Sequence, residues 1–191
     1  MNSLLAQFIT RYRLNVMENP DHNALPHSAA VLLLIIQHPQ TPTMLFTQRS
    51  YHLRHHAGQV AFPGGKRDPS NASLLNTALR ETYEEIGIPA DKITLIGPLP
   101  TINSRAGQRV KPFIGYVAPN ITLTANTDEV AKIFQLPLAM LLKPHSYVAL
   151  PITRHHTTQI CHFLRHSEPM VWGMTATILY RLSQHVAMFP E

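Results

Sequence analysis

Residues 29–36 read Ala-Ala-Val-Leu-Leu-Leu-Ile-Ile, an unbroken apolar run. No polar residue alternates with the apolar ones, so a strand made from it has no face to give to water and must lie inside a sheet covered on both sides. That demand asks for helices above and below the sheet, as in a layered α/β or α+β domain. The run is far shorter than the roughly 20 residues of a membrane-spanning helix. The N-terminus carries no charged start followed by an apolar signal core, so a cytoplasmic setting without a membrane partner is expected.

The rest of the chain fits the same plan. A second strand-like run at 44–48 follows a turn between Pro39 and Pro42, which predicts a hairpin or meander. Further runs at 60–62, 93–96, 110–117, 147–150 and 158–163 are separated by many of the chain's 16 prolines. Long helical patterns fall at 73–86 and 173–186. Near the N-terminus, Leu4, Leu5, Phe8, Ile9 and Tyr12 recur at helical spacing before an Asn19-Pro20-Asp21 turn. The organisation expected is an amphipathic helix and linker over 1–25, then one domain over 26–191 with helices on both faces of a mixed sheet. A length of 191 residues suits one domain.

Cys161 is the single cysteine, which excludes a disulfide scaffold and any zinc site needing several thiolates. It is expected to be a buried small hydrophobe. The doublets His55-His56 and His155-His156 do not make a zinc site, because adjacent histidines diverge and no third ligand follows at helical spacing. The formal charge is +5 on a chain only 14% charged. Spread over a domain this is no nucleic-acid footprint, and no nucleic-acid partner is expected.

Chemistry concentrates in Phe62-Pro63-Gly64-Gly65-Lys66-Arg67-Asp68 and the following Leu79-Arg80-Glu81-Thr82-Tyr83-Glu84-Glu85-Ile86-Gly87-Ile88. Asn71 or Ser73 can cap the intervening helix and Gly87 can end it in a left-handed conformation. At about 100° per residue from Glu81, Leu75, Leu79, Thr82 and Ile86 fall at about 100–160°, whereas Glu84 and Glu85 fall near about 300° and 40°. One face is expected to pack and another to collect carboxylates; Leu74 does not fit this division. Three carboxylates so spaced repel one another by about a few tenths of a kcal/mol per pair. Arg80 can bridge Glu84, but one guanidinium cannot neutralise three acids, whereas a hard Mg²⁺ or Mn²⁺ ion can. An isolated acidic helix face is ordinarily just solvated, so the surroundings have to decide.

The pattern Gly65 … Arg80-Glu81-x-x-Glu84-Glu85-x-Gly87 resembles the Nudix box, here spanning about 64–88, the loop and helix of hydrolases that cleave a nucleoside diphosphate linked to another group. The resemblance implies an α/β/α sandwich around a mixed sheet. Two departures stand out. The general pattern has a glutamate six residues after the glycine, where this chain has Asn71, and one residue is inserted before Arg80. Asp68 is the acid nearest to the missing charge.

Upstream, Leu45-Phe46-Thr47-Gln48-Arg49-Ser50, then Arg54 and Gly58-Gln59-Val60-Ala61-Phe62-Pro63-Gly64-Gly65, closely resemble the extra motif of the coenzyme A diphosphatase branch of Nudix hydrolases. Lys111-Pro112-Phe113-Ile114-Gly115, Glu129-Val130 with Leu136-Pro137-Leu138, and Trp172-Gly173-Met174-Thr175-Ala176 also look like that branch. The resemblance implies metal-dependent hydrolysis of coenzyme A to adenosine 3′,5′-bisphosphate and 4′-phosphopantetheine. On these two motifs, Glu81 and Glu85 are the first choice as ligands of Mg²⁺ or Mn²⁺, with Glu84 completing the cluster or acting through water. Glu84, Glu85 and Arg80 are the expected catalytic group, Arg80 orienting Glu84. Arg49, Arg54, Gly64, Gly65 and Lys66 are expected to bind substrate, since a diphosphate with a 3′-phosphate calls for cations and for backbone that can approach closely. Glu129 fits either an extra carboxylate from a later loop or a plain surface acid. Trp172 fits either a core or a substrate wall. Two other readings stay open: a Nudix hydrolase of a nucleotide sugar or dinucleotide, and an inactive Nudix domain that binds nucleotide or RNA.

Overall fold

The computed structural model describes residues 2–15, 28–68, 73–104, 107–154 and 157–186. The Asn19-Pro20-Asp21 turn, Asn71 and the His155-His156 doublet lie outside them. Helix α1 (Ser3–Leu14) precedes strands β1 (Ser28–Ile36), β2 (Thr43–Arg49), β3 (Val60–Ala61) and β4 (Gly64–Lys66). Helix α2 (Leu74–Ile86) is followed by β5 (Thr94–Pro98), β6 (Ile102–Asn103), β7 (Arg109–Val117), β8 (Val130–Pro137) and the single-turn α3 (Leu138–Leu141). A separate antiparallel hairpin, β9 (Tyr147–Arg154) and β10 (Thr157–Leu164), leads to α4 (Gly173–Val186).

The main sheet runs β3-β2-β1-β7-β5, with β4 also on β1, β6 on β7 and β8 on β2. β1 and β7 are parallel from Ser28 opposite Arg109 to Ile36 opposite Val117. The other pairs are antiparallel, so the sheet is mixed. β1 is central, and its side chains alternate between two cores. Leu33 and Ile35 join α1, α3 and α4 on one face, while Ala30, Leu32, Leu34 and Ile36 join Ala78 and Ile86 of α2 on the other. Both sets are fully or nearly fully buried, which is why the run has no polar member. Each such Leu or Ile contributes about 1.5–3 kcal/mol by leaving water. The expected α/β/α sandwich is what the chain forms.

Helix α1 is fastened at both ends. The Asn2 side chain accepts from Leu4 N–H at 2.8 Å as an N-cap and donates to the carbonyls of Pro39 and Gln40. Tyr12 donates its hydroxyl to the Pro98 carbonyl at 2.5 Å. Its hydroxyl lies where a Cβ on Gly97 would come within 2.5 Å, so glycine is needed there for close approach rather than for φ.

Several elements depart from the sequence expectations. β4 occupies Gly64–Lys66, where two glycines give no strand propensity, and it exists because β1 offers an open ladder at Ala29–Val31. β6 has two residues, and β8 is stabilised by its pairing with β2 rather than by a clean alternation of its own. The helix wheel also needs one correction. Thr77, Ala78, Thr82, Glu85 and Ile86 are the buried residues of α2, so Glu85 belongs to the packed stripe and not to the exposed acidic one. Leu75 and Leu79 are only half-buried, and Leu74, set aside on the wheel, packs beside them.

Candidate active site

Helix α2 begins with Ser73, whose hydroxyl accepts from Asn76 N–H at 3.1 Å, and ends at Gly87 with φ 76°. These caps fix which turn of the helix lies over the Gly64–Gly65 backbone. Gly64 and Gly65 pair with Val31 and Ala30 of β1, and the Leu32 N–H bonds the Pro63 carbonyl at 2.9 Å. Above them the carboxylate of Glu81 is so close that a Cβ on Gly65 would sit 2.4 Å from its Cδ. Glu85 reaches the same backbone and accepts from the Gly64 N–H. The glycines therefore bring a bare strand against two carboxylates of one helix.

The electrostatics follow from that burial. Desolvation pushes the Glu85 carboxyl up to about 8, with the Glu81 and Glu129 charges acting the same way and the Gly64 N–H and Arg49 opposing it. Glu81 is raised in the same sense, first by burial and then by Glu84 and Glu129, against its bond to Arg80. Arg80 forks between the two exposed-side acids, with Nη2 2.5 Å from Glu81 and Nη1 bonded to Glu84. It thus orients Glu81 as well as the expected Glu84.

Arg49 ends β2 at an irregularity in the β2–β8 register and is within electrostatic reach of Glu85. Its Nε is buried and has no hydrogen-bond partner among the described residues. The Ser50 N–H bonds the Glu129 carbonyl at 2.8 Å, and the loop before Glu129 hangs from the end of α2 through Asn126 N–H to Glu85 O and Thr124 N–H to Ile86 O. These bonds explain why the exposed Glu129 acts on Glu81 and Glu85. Arg54 is exposed in the β2–β3 loop and Lys66 is exposed at the end of β4. Asp68 is exposed and its charge acts on Arg80. Trp172 stacks on Phe163 with 6.2 Å between centroids, tying the entry of α4 to β10. Cys161 is buried, as expected. Sequence reasoning gave no role to Lys111, which is buried on β7 opposite Ala30, itself opposite Gly65. A lysine inside the apolar run 110–117 was the available signal.

The residues suit a divalent ion in donor type and in charge. Three carboxylates lie on adjacent turns, one is buried and pushed far from its ordinary ionisation, and the glycines leave no side chain between them and β4. Among the described residues no three His, Cys, Asp or Glu side chains already converge on one point. Arg80 draws Glu81 and Glu84 to itself, and Glu85 turns inward to the Gly64 N–H. No helix of the described residues is long and apolar enough to cross a membrane.

Comparison with known proteins agrees with this geometry. The family model described as NUDIX domain matches residues 26–155. A Nudix hydrolase named NudL from Yersinia enterocolitica is 43% identical over 182 residues, covering 95% of this chain and 93% of that one. NudL of Photorhabdus laumondii is 43% identical over 186 residues, covering 95% and 97%. The solved structure of RenU, a Nudix hydrolase from M. smegmatis, superposes with a TM-score of 0.57 at 19% identity, covering 86% of this chain and 88% of that one. A MutT/nudix family protein from Enterococcus faecalis gives 0.55 at 18% identity, covering 96% and 70%. These two structures share the fold. With the matching domain model over most of its length and relatives this similar, the chain belongs to the Nudix family.

Proposed function

We propose that this Nudix hydrolase cleaves the diphosphate of coenzyme A, releasing adenosine 3′,5′-bisphosphate and 4′-phosphopantetheine. The observation that carries the reading is Arg49: a guanidinium from the upstream basic segment lies within electrostatic reach of the Glu85 carboxylate, with a buried Nε that has no hydrogen-bond partner among the described residues. A buried donor left in this way is a strong attractor for an anionic oxygen, and arginine matches phosphate geometry. It supports the joining of two features that lie apart in the sequence, the phosphate-attracting segment and the acidic helix.

Glu81 and Glu85, with Glu84, would hold Mg²⁺ or Mn²⁺. When bound, such an ion neutralises diphosphate oxygens and lowers the pKa of water. The chain's own residues do the rest. Arg80 holds Glu81 and Glu84 in one fork, limiting their rotamers before substrate arrives. The Gly64–Gly65 backbone leaves room for the diphosphate to approach the acids. Arg49 pairs with a phosphate oxygen, and the exposed Arg54 and Lys66 add positive potential at the rim. One of the three glutamates accepts the proton of the attacking water as its oxygen bonds to phosphorus and the bridging P–O bond breaks.

The test is a side-by-side assay of the purified enzyme with coenzyme A, ADP-ribose and NADH, with and without Mg²⁺ or Mn²⁺, following release of phosphopantetheine and the nucleotide products. Preferred, metal-dependent cleavage of coenzyme A is expected. Cleavage of ADP-ribose or NADH with coenzyme A untouched overturns the substrate and leaves the hydrolase.

A further inference from the structure

Among the described residues, the two most exposed aromatic side chains are Tyr51, at 67%, and Tyr83, at 59%. They differ in how they are held. Tyr83 stands on α2 over a shallow groove with Leu79, Pro89 and Ala90. Tyr51 stands in the β2–β3 loop, two residues beyond Arg49, and is fixed from two sides. Its ring lies against the backbone of Gly58, where a Cβ would come within 2.6 Å of Cε1, and Gly58 has φ 70°, so both contact and backbone call for glycine. Its hydroxyl accepts from Gln48 Nε2 at 2.9 Å, and the same amide donates to the Gly58 carbonyl at 3.2 Å. The loop is closed behind it by Arg49 N–H to Gln59 O at 2.9 Å and Gly58 N–H to Arg49 O at 3.2 Å.

An exposed phenol ordinarily gains nothing from being held still, because fixing a side chain costs conformational entropy. Here a glycine, a glutamine amide and the loop closure all hold one tyrosine while the residue stays largely open to solvent. The same loop carries His52, Arg54, His55 and His56, all exposed, so it adds donors and cations to the open ring. The position is also defined relative to the chemistry. Arg49 is in electrostatic reach of Glu85, and Tyr51 follows it by two residues in the turn that ends β2, so their Cα atoms are at most about 7 Å apart. In a nucleoside diphosphate the base hangs one ribose away from the phosphates, a similar distance.

We propose that Tyr51 is the platform on which the nucleobase of the substrate stacks, with Gly58 and Gln48 acting as its positioning residues. The inference rests on the reading of the site as one for a nucleoside diphosphate derivative, and within that reading it names the residue that recognises the adenine end. A preorganised aromatic face suits a base because every base presents a π-face, and the neighbouring cations suit the phosphates beside it.

The experiment measures binding separately from turnover. ADP is titrated into the catalytically disabled Glu85→Gln protein carrying wild-type Tyr51, Tyr51→Phe, Tyr51→Leu or Tyr51→Trp, with inorganic pyrophosphate as the base-free probe. Tyr51→Leu is expected to weaken ADP about tenfold, the weight of one stacked base, and to leave pyrophosphate unchanged; Tyr51→Phe is expected to keep ADP affinity. In Tyr51→Trp, ADP but not pyrophosphate is expected to quench the new indole beyond the change seen in Trp172 alone. Equal affinity of Tyr51→Leu and wild type for ADP overturns the proposal, as does an equal loss for both probes, which would mean that the loop and not the ring was damaged. Because ADP is common to coenzyme A, ADP-ribose and NADH, this outcome is independent of which of them the enzyme prefers.

Discussion

The two adjacent glycines of the site are required for different reasons, and substituting each by alanine separates fold from function. At Gly65 the added Cβ would lie 2.4 Å from Glu81 Cδ and from Oε1, and 2.6 Å from Oε2. Ordinary contact begins near 3.4 Å, so the carboxylate must retreat by about 1 Å, a displacement that costs on the order of 10²-fold when it falls on a catalytic group. The atoms met are the far end of a flexible side chain. The fold therefore loses little beyond the Arg80–Glu81 pair, whose Arg80 side chain is 36% exposed and which is worth at most about 1 kcal/mol after screening. For a domain of this size that is about 2–4 °C in Tm. At Gly64 the Cβ would meet backbone instead, 2.2 Å from Ala30 O and 2.6 Å from Val31 Cα, with φ at 155°. A central strand cannot step aside, and overpacking together with backbone strain costs about 2–6 kcal/mol. Thermal unfolding and turnover of the best substrate, measured on both variants, make the comparison. Gly65→Ala should keep Tm within a few degrees and lose about 10²-fold in kcat; Gly64→Ala should lose more in Tm, about 4–24 °C on the same scale. Gly65→Ala with wild-type turnover, or with a Tm loss equal to that of Gly64→Ala, refutes the argument.

Glu85→Gln should abolish most turnover without lowering the Tm of the chelator-treated protein, because the amide keeps the shape and the acceptor for Gly64 N–H, and burial already disfavours the charged form of the carboxyl it replaces; circular dichroism melts with and without EDTA check this. Arg80→Lys should lower kcat by about tenfold or more with under about 1 kcal/mol in stability, since a point charge cannot hold Glu81 and Glu84 in one fork, and urea titration beside steady-state kinetics reads both. Tyr12 donates to the Pro98 carbonyl, and burial pushes its hydroxyl up to about 12 from an ordinary 10.0. Its neutral form is the folded form, so its contribution is complete below pH 10 and is lost as pH rises through about 12. Tyr12→Phe should be less stable than wild type near pH 8, and the two should converge in alkaline denaturant melts.

How much was legible in the sequence depended on how far apart the interacting residues lie. The central strand announced itself because burial on both faces leaves a pattern within eight residues, and helix α2 announced its C-terminal end through Gly87 while its start stayed open between Asn71 and Ser73. The strands at 147–150 and 158–163 and helix α4 were legible for the same local reason. β4 and β8 were not, because a Gly-Gly-Lys strand and an exposed edge strand are held by their partners, and register is a property of the pair. The burial of Glu85 was hidden for a related reason. A helix wheel gives the angle between residues but not where the sheet lies, and the true stripe is rotated far enough to take Glu85 inside and leave Leu79 half out.

That rotation has a consequence for the chemistry. Had all three acids shared one exposed face, water would have screened their repulsion and each would have kept an ordinary carboxylate, with little reason to prefer an ion over solvent. Turning α2 so that Glu85 enters the core places one acid where charge is expensive, against the Gly64 N–H and within reach of Arg49, and leaves Glu84 at the surface with Arg80 between it and Glu81. The gradient from buried to exposed across about one helical turn raises the proton affinities of Glu85 and Glu81, first through lost solvation. It also faces the most perturbed of them toward the basic segment. The arrangement thus depends less on the three glutamates as a motif than on the Gly64–Gly65 strand, which lets α2 sit low enough on the sheet for that gradient to exist.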